Sequence, residues 1–148
     1  MSIDFRGTNF PLGIRNNNPG NLRPGHDWQG MVGENKGFVV FENIHYGIRA
    51  LAMDLINKYL RGLNTVEKII NVYAPPSEND TDSYIEAVCK RLVCLRDAPI
   101  KLSKPLLIEF VKAIIMHENG IRGAKVLPDM IAAGIALVPE KLLKRLNK

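Results

Sequence analysis

Glu118 closes the most apolar helical pattern of the chain, in the run Ala113-Ile-Ile-Met-His-Glu-Asn-Gly120. A carboxylate in the last turn of a helix sits at the negative end of the helix dipole, and burial beside apolar neighbours also disfavours its charge. Both effects favour a proton on Glu118 near neutral pH, the state a general acid requires. Spacing alone leaves a second reading open, an exposed last-turn glutamate with no chemistry. No histidine follows Glu118 at the spacing of a zinc-protease helix, and His26 and His45 show no metal-ligand spacing. No serine occupies a nucleophile elbow, and no Gly-rich loop leads from a strand into a helix. The chemistry on offer is proton transfer, and neither a metal nor a cofactor is expected.

Gly13-Ile-Arg-Asn-Asn-Asn-Pro-Gly-Asn-Leu-Arg-Pro-Gly25 is dense in turn formers and predicts neither a helix nor a central strand. It reads either as a polar surface loop or as a rigid shelf of amides for a polyhydroxylated, amide-bearing ligand, with Arg15 and Arg23 adding positive charge. Trp28, the single tryptophan, either anchors the following hairpin on the core or stacks on a sugar. Glu42, Glu78 and Asp80 are the carboxylates that could partner Glu118, although Asp80 suits a helix cap equally well.

The helix that must position Glu118 buries Leu106, Leu107, Phe110, Val111, Ile114 and Ile115 on one face at the 3.6 period. Ser103 suits its cap, Pro105 its first turn and Gly120 a left-handed stop. Residues 1–12 read as a loose N-terminal arm before a single domain over 13–148. Met31–Gly33 and Gly37–Phe41 flank a turn as a short β-hairpin. Helices are predicted from Tyr46 to Leu60, from Thr65 to Tyr73, and after a cap within Glu78–Thr81, carrying Tyr84, Ile85, Val88 and Leu92. Residues 94–103 read as a linker. A further helix carries Met130, Ile131 and Ile135, and a basic segment runs from Lys141 to Lys148. The fold class is mainly α with one small hairpin.

A chain of 148 residues with 46% apolar and 24% charged composition is long enough to bury a core as one domain. Net charge is +5 and the pI about 9.3, which suits an anionic partner such as a cell-wall polymer. Cys89 and Cys94 are expected on different sides of one helix, so a mutual disulfide is not expected, and a reducing compartment of synthesis is. Met1 to Thr8 lack the apolar segment of a signal peptide, and no apolar run reaches membrane-spanning length. Synthesis in the cytoplasm is expected. Action on the periplasmic wall would then need holin-type release, secretion or carriage in a virion.

Three of these pieces resemble the lysozyme-like superfamily, particularly lytic transglycosylases and related bacterial glucosaminidases. Ala113–Gly120 looks like the helix that ends in that family's catalytic glutamate. Asn16-Asn-Asn-Pro-Gly-Asn-Leu22, with Trp28 and Phe38-Val-Val-Phe41, is similar to its asparagine-rich turn and aromatic hairpin. Val72-Tyr-Ala-Pro-Pro76 and the segment from Glu78 to Val88 resemble its tyrosine–alanine loop and closing helix. In the family the glutamate helix comes first; here it comes last, as in a circular permutation. The opening Gly13–Asn21 is also similar to bacteriophage and prophage virion or lysis proteins, and the likeness spans residues 13–137.

The resemblance implies a circularly permuted lysozyme-like domain that cleaves the muramic acid–glucosamine bond of peptidoglycan. Glu118 would be the acid, and Tyr73 would sit beside the scissile sugar with its hydroxyl on Glu118 or the substrate. Substrate contacts would come from Arg15, Asn16, Asn18, Asn21, Trp28, Glu78, Tyr84 and His117, although Tyr84 equally suits packing against its own helix. A lytic transglycosylase forming anhydro-muramic ends is the expected type. A two-carboxylate muramidase and a catalytically silent virion or assembly protein are the alternatives. The partner is the glycan strand and the protein a monomer; neither nucleic acid nor membrane insertion is expected. Lys141, Lys144, Arg145 and Lys148 would carry a nucleic-acid-binding function, which lacks a recognition-helix pattern.

Overall fold

In the computed structural model, which describes residues 3–147, the helix before Glu118 is where the packing centres. Met1, Ser2 and Lys148, assigned above to the arm and the basic tail, lie outside the described residues. In chain order the elements are α1 (Leu12–Arg15), β1 (Met31–Asn35), β2 (Phe38–Phe41), α2 (Ile44–Leu60), α3 (Val66–Tyr73), α4 (Thr81–Leu92), α5 (Lys104–Asn119), α6 (Pro128–Ala136) and α7 (Glu140–Lys144). Short 3₁₀ turns cover Gly120–Lys125 and Arg145–Asn147. The architecture is mainly helical with one two-stranded antiparallel sheet.

Ser103 and Asp80 are caps that the sequence marks, while Thr65 and Asn43 cap α3 and α2 unannounced. Ser103, Thr65 and Asp80 each accept a hydrogen bond from the backbone N–H three residues on, at the starts of α5, α3 and α4. Leu107, Phe110, Val111, Ile114 and Ile115 of α5 are fully buried. At about 2 kcal/mol per large apolar side chain, that face contributes on the order of 10 kcal/mol. It packs on α2 and α4, and α2 packs in turn on α6.

Several expectations are corrected. The arm is docked: Ile3, Phe5 and Phe10 pack on the core, and Asn17 Oδ1 accepts the Phe5 N–H at 2.8 Å. Leu12–Arg15 makes one helical turn where only loop was expected, its apolar Ile14 fully buried. The hairpin turn is Lys36-Gly37, both at positive φ, which matches the strand twist and lengthens β1 to Asn35. Gly120 has φ 65 and ψ −158, outside the left-handed helical region, and the chain continues into a 3₁₀ turn. The cysteines are neighbours. Val93 ends α4 in the left-handed region, and Cys94 turns back so that its N–H bonds the Cys89 carbonyl at 3.1 Å. Burial, followed by the nearby Cys94 thiol, pushes the Cys89 thiol up to about 11. Both cysteines are free.

Gly47 fixes how α2 meets the asparagine turn. A Cβ there would lie 1.8 Å from the Asn17 carbonyl oxygen, so only glycine allows this approach. Among the described residues no helix is long and apolar enough to cross a membrane.

Candidate functional site

The C-terminal end of α5 meets the asparagine turn and α4 at one carboxylate. Glu118 Oε1 accepts from Asn21 Nδ2 at 2.8 Å, and Oε2 accepts from the Tyr84 hydroxyl at 2.7 Å. The next residue, Asn119, is buried and donates to the carbonyls of Pro19 at 2.8 Å and Ile115 at 2.9 Å. That amide ties the helix end to the turn, so the direction of Glu118 is set from both sides.

Gly13 makes the junction possible. A Cβ there would lie 2.7 Å from Asn119 Oδ1 and 2.8 Å from Asn21 Oδ1. Both amide oxygens are buried without a hydrogen-bond partner among the described residues.

Tyr73, the last residue of α3, donates its hydroxyl to the Gly20 carbonyl. The family resemblance put the Tyr73 hydroxyl on Glu118 or the substrate; in the structure Tyr84, not Tyr73, donates to Glu118. The two rings lie edge to face with centroids 6.5 Å apart, and His117 covers Tyr84 at 3.9 Å. Burial is the main force that pushes both phenols well above their ordinary range. The Glu118 charge adds to it at both, and the neighbouring Tyr73 adds to it at Tyr84. Both hydroxyls therefore stay protonated and act as donors.

Glu118 lines a cleft of about 360 Å³, within the range of small-ligand sites. The turn and hairpin contribute Asn21, Arg23, Trp28 and Phe38, while the chain around the end of α3 contributes Tyr73 and Glu78. Arg23 stacks 4.6 Å from the Phe38 ring and approaches Glu78 at 3.8 Å, an exposed pair of little energetic weight. Trp28 is half-buried against the small cluster of Leu22, Val39, Phe41 and Ala50, yet it also lines the cleft.

Of the predicted residues, Glu118, Tyr73, Asn21, Arg23, Trp28 and Glu78 therefore share one cleft. The others do not line it. Arg15 donates to the Phe10 carbonyl at 3.0 Å, and Asn16 accepts from Asn35 at 3.0 Å. Asn18 is fully buried and bonds the backbone of Leu22 and Val39, so its amide holds the turn to the hairpin. Tyr84 is buried, and His117 is exposed and packs on the Tyr84 ring. Glu42 is exposed outside the cleft, and Asp80 caps α4.

Sequence reasoning missed Asp54 and Lys58, which line the cleft from α2 and form a 2.7 Å ion pair. The signal was present: a charge pair four residues apart inside an apolar helix, with Leu55 and Ile56 between.

No protein-family model matches the chain. Protein P5 of Pseudoalteromonas phage PM2 is 36% identical to it over 115 residues, covering 73% of this chain and 71% of that protein. The chain belongs to the family of that phage protein.

Proposed function

We propose that this member of the Protein P5 family cleaves the muramic acid–glucosamine bond of peptidoglycan as a lysozyme-like enzyme with its motifs in permuted order. The observation that carries the reading is Glu118, a carboxylate at the end of a buried helix, held by two donors in a cleft with Trp28 and Tyr73. Phage membership suits a wall-degrading role at entry or release, and the +5 charge favours adsorption to an anionic wall.

In the mechanism, protonated Glu118 gives its proton to the bridging oxygen as the C1–O bond breaks. The muramic 6-hydroxyl then attacks C1 from the same sugar, and its proton returns to the Glu118 carboxylate. The ring closes to anhydro-muramic acid, no water is consumed, and the acid is regenerated. Holding the reacting hydroxyl on the same sugar supplies a high effective concentration. Asn21 and Tyr84 position Glu118; Trp28 offers an apolar face to a sugar ring.

Asp54 favours a second reading, a two-carboxylate muramidase, because it places another carboxylate in the same cleft. Digestion of purified sacculi with mass analysis of the muropeptide ends tests both. Anhydro ends are expected, lighter than hydrolysed ends by one water. Glu118→Gln, which removes the proton donor while keeping the shape, is expected to lower cleavage by about 10²-fold or more. Absence of any cleavage by the wild-type protein would leave the silent virion protein standing.

A further inference from the structure

We propose that the Asp54–Lys58 pair on α2 is a subsite for the N-acetamido group of an aminosugar, an assignment that rests on the glycan reading above. Both side chains line the cleft, and they are only 15% and 11% exposed. Lys58 Nζ donates to Asp54 Oδ2 at 2.7 Å. Its other two N–H bonds, and Asp54 Oδ1, have no protein partner among the described residues. The Tyr73 ring stands beside the ammonium, 5.6 Å from Nζ to the centroid.

The pair's own hydrogen bond leaves part of its capacity unused by protein. Withdrawing two charges from water costs several kcal/mol per ion unless the remaining donors and acceptors are also satisfied. A surface pair at the same i, i+4 spacing avoids that cost. Here the donors and acceptor that the pair leaves over belong to two residues that line a cleft, where a ligand can take them.

The chemistry of the pair selects the ligand class. Together the two residues are neutral, so they do not select net charge. One side donates and the other accepts, and a secondary amide presents the complement of both. Its carbonyl takes an N–H from Lys58, its N–H goes to Asp54 Oδ1, and its methyl lies against the Tyr73 ring. A hydroxyl in the same place offers a single oxygen to both partners and no methyl to the ring.

The test is binding of chitotetraose and cellotetraose to Glu118→Gln protein by calorimetry. The two ligands share a β-1,4 backbone and differ in acetamido against hydroxyl at each C2. Chitotetraose is expected to bind at least about tenfold tighter, the scale of one or two hydrogen bonds. Adding Asp54→Asn and Lys58→Met together, so that no lone charge is left buried, is expected to erase the difference. Unchanged preference in that folded variant overturns the subsite while leaving the glycan reading intact. Failure of the Glu118→Gln protein to bind either ligand overturns both. Saturation-transfer NMR on the Glu118→Gln protein needs no change on α2. There the acetyl methyl protons of chitotetraose should be the most strongly saturated, and weak saturation of them overturns the proposal even if the α2 variants do not fold.

Discussion

Replacing Tyr84 by phenylalanine removes one oxygen from a side chain that is 1% exposed and leaves the ring stack with Tyr73 and His117 in place. The lost interaction is a 2.7 Å hydrogen bond to the Glu118 carboxylate. Bonds to charged groups contribute about 1.5–3 kcal/mol. Glu118 borders the cleft, where water can replace the donor, so the stability loss should fall near the low end, about 1.5 kcal/mol. The same bond fixes where the Glu118 proton is delivered. At about 1.4 kcal/mol per decade, losing it should lower kcat roughly 10- to 100-fold. Tyr84 does not line the cleft, so KM should change little. Sacculus clearing, with kcat and KM measured separately and thermal unfolding on the same samples, reads all three. A Tyr84→Phe protein that loses stability but keeps full kcat would refute the positioning role and reduce Tyr84 to packing.

Alkaline titration follows from the raised phenols: their folded-state stability is complete below the ordinary tyrosine value of 10.0 and is lost as pH rises above it. Denaturant unfolding from pH 9 to 11.5 should show a falling midpoint, and Tyr84→Phe should flatten it; an unchanged slope counts against the assignment. Gly13→Ala drives a methyl into the Asn21 and Asn119 amide oxygens, so it should cost about 1–3 kcal/mol and lower cleavage along with it. Normal activity and stability would mean the amides move freely. Gly47→Ala meets a backbone carbonyl that cannot step aside, and a loss above about 4 kcal/mol is expected, seen as absent cooperative unfolding. Thr65→Ala removes the α3 cap and should lower stability by about 1 kcal/mol with cleavage retained, a result read from denaturant midpoints.

The helices were legible because their apolar periods are long and the caps of α4 and α5 are explicit. The face of α5 is buried as the spacing of Leu107, Phe110, Ile114 and Ile115 requires, and Ser103 caps it. The roles of the asparagines were not legible. Asn17 and Asn21 both adopt positive φ, which turns successive amides to different sides of the chain. Asn17 and Asn18 face inward to brace the arm and the hairpin, and only Asn21 of the predicted asparagines reaches Glu118. Composition marks such a turn as rich in amides but carries no record of their directions. That Tyr84 rather than Tyr73 reaches Glu118 was not legible for a related reason. Tyr73 ends α3 and Tyr84 lies within α4, and which hydroxyl reaches a carboxylate on α5 depends on how α4 lies on α5. The closeness of the two free cysteines was hidden because the spacing argument assumes a helix that continues, whereas Val93 breaks it one residue before Cys94.

Asp54 reopens the choice between transglycosylation and hydrolysis, because it adds a carboxylate to the cleft of Glu118 and Glu78. Its presence in the cleft does not by itself supply a base. A hydrolytic role requires one free oxygen, either to activate a water on the sugar face opposite Glu118 or to attack C1 itself. Asp54 Oδ2 is already held by Lys58, so Oδ1 alone is available. In the acetamido subsite that oxygen takes the substrate N–H, and no free oxygen is left for either. The subsite and the anhydro product therefore stand together: an Asp54 that binds the amide leaves the 6-hydroxyl as the nucleophile. Reducing-end products, with loss of turnover in Asp54→Asn at unchanged chitotetraose affinity, would separate them in the other direction. Asp54 would then be the second carboxylate and Lys58 its anchor, and Glu118 would remain the acid in either case.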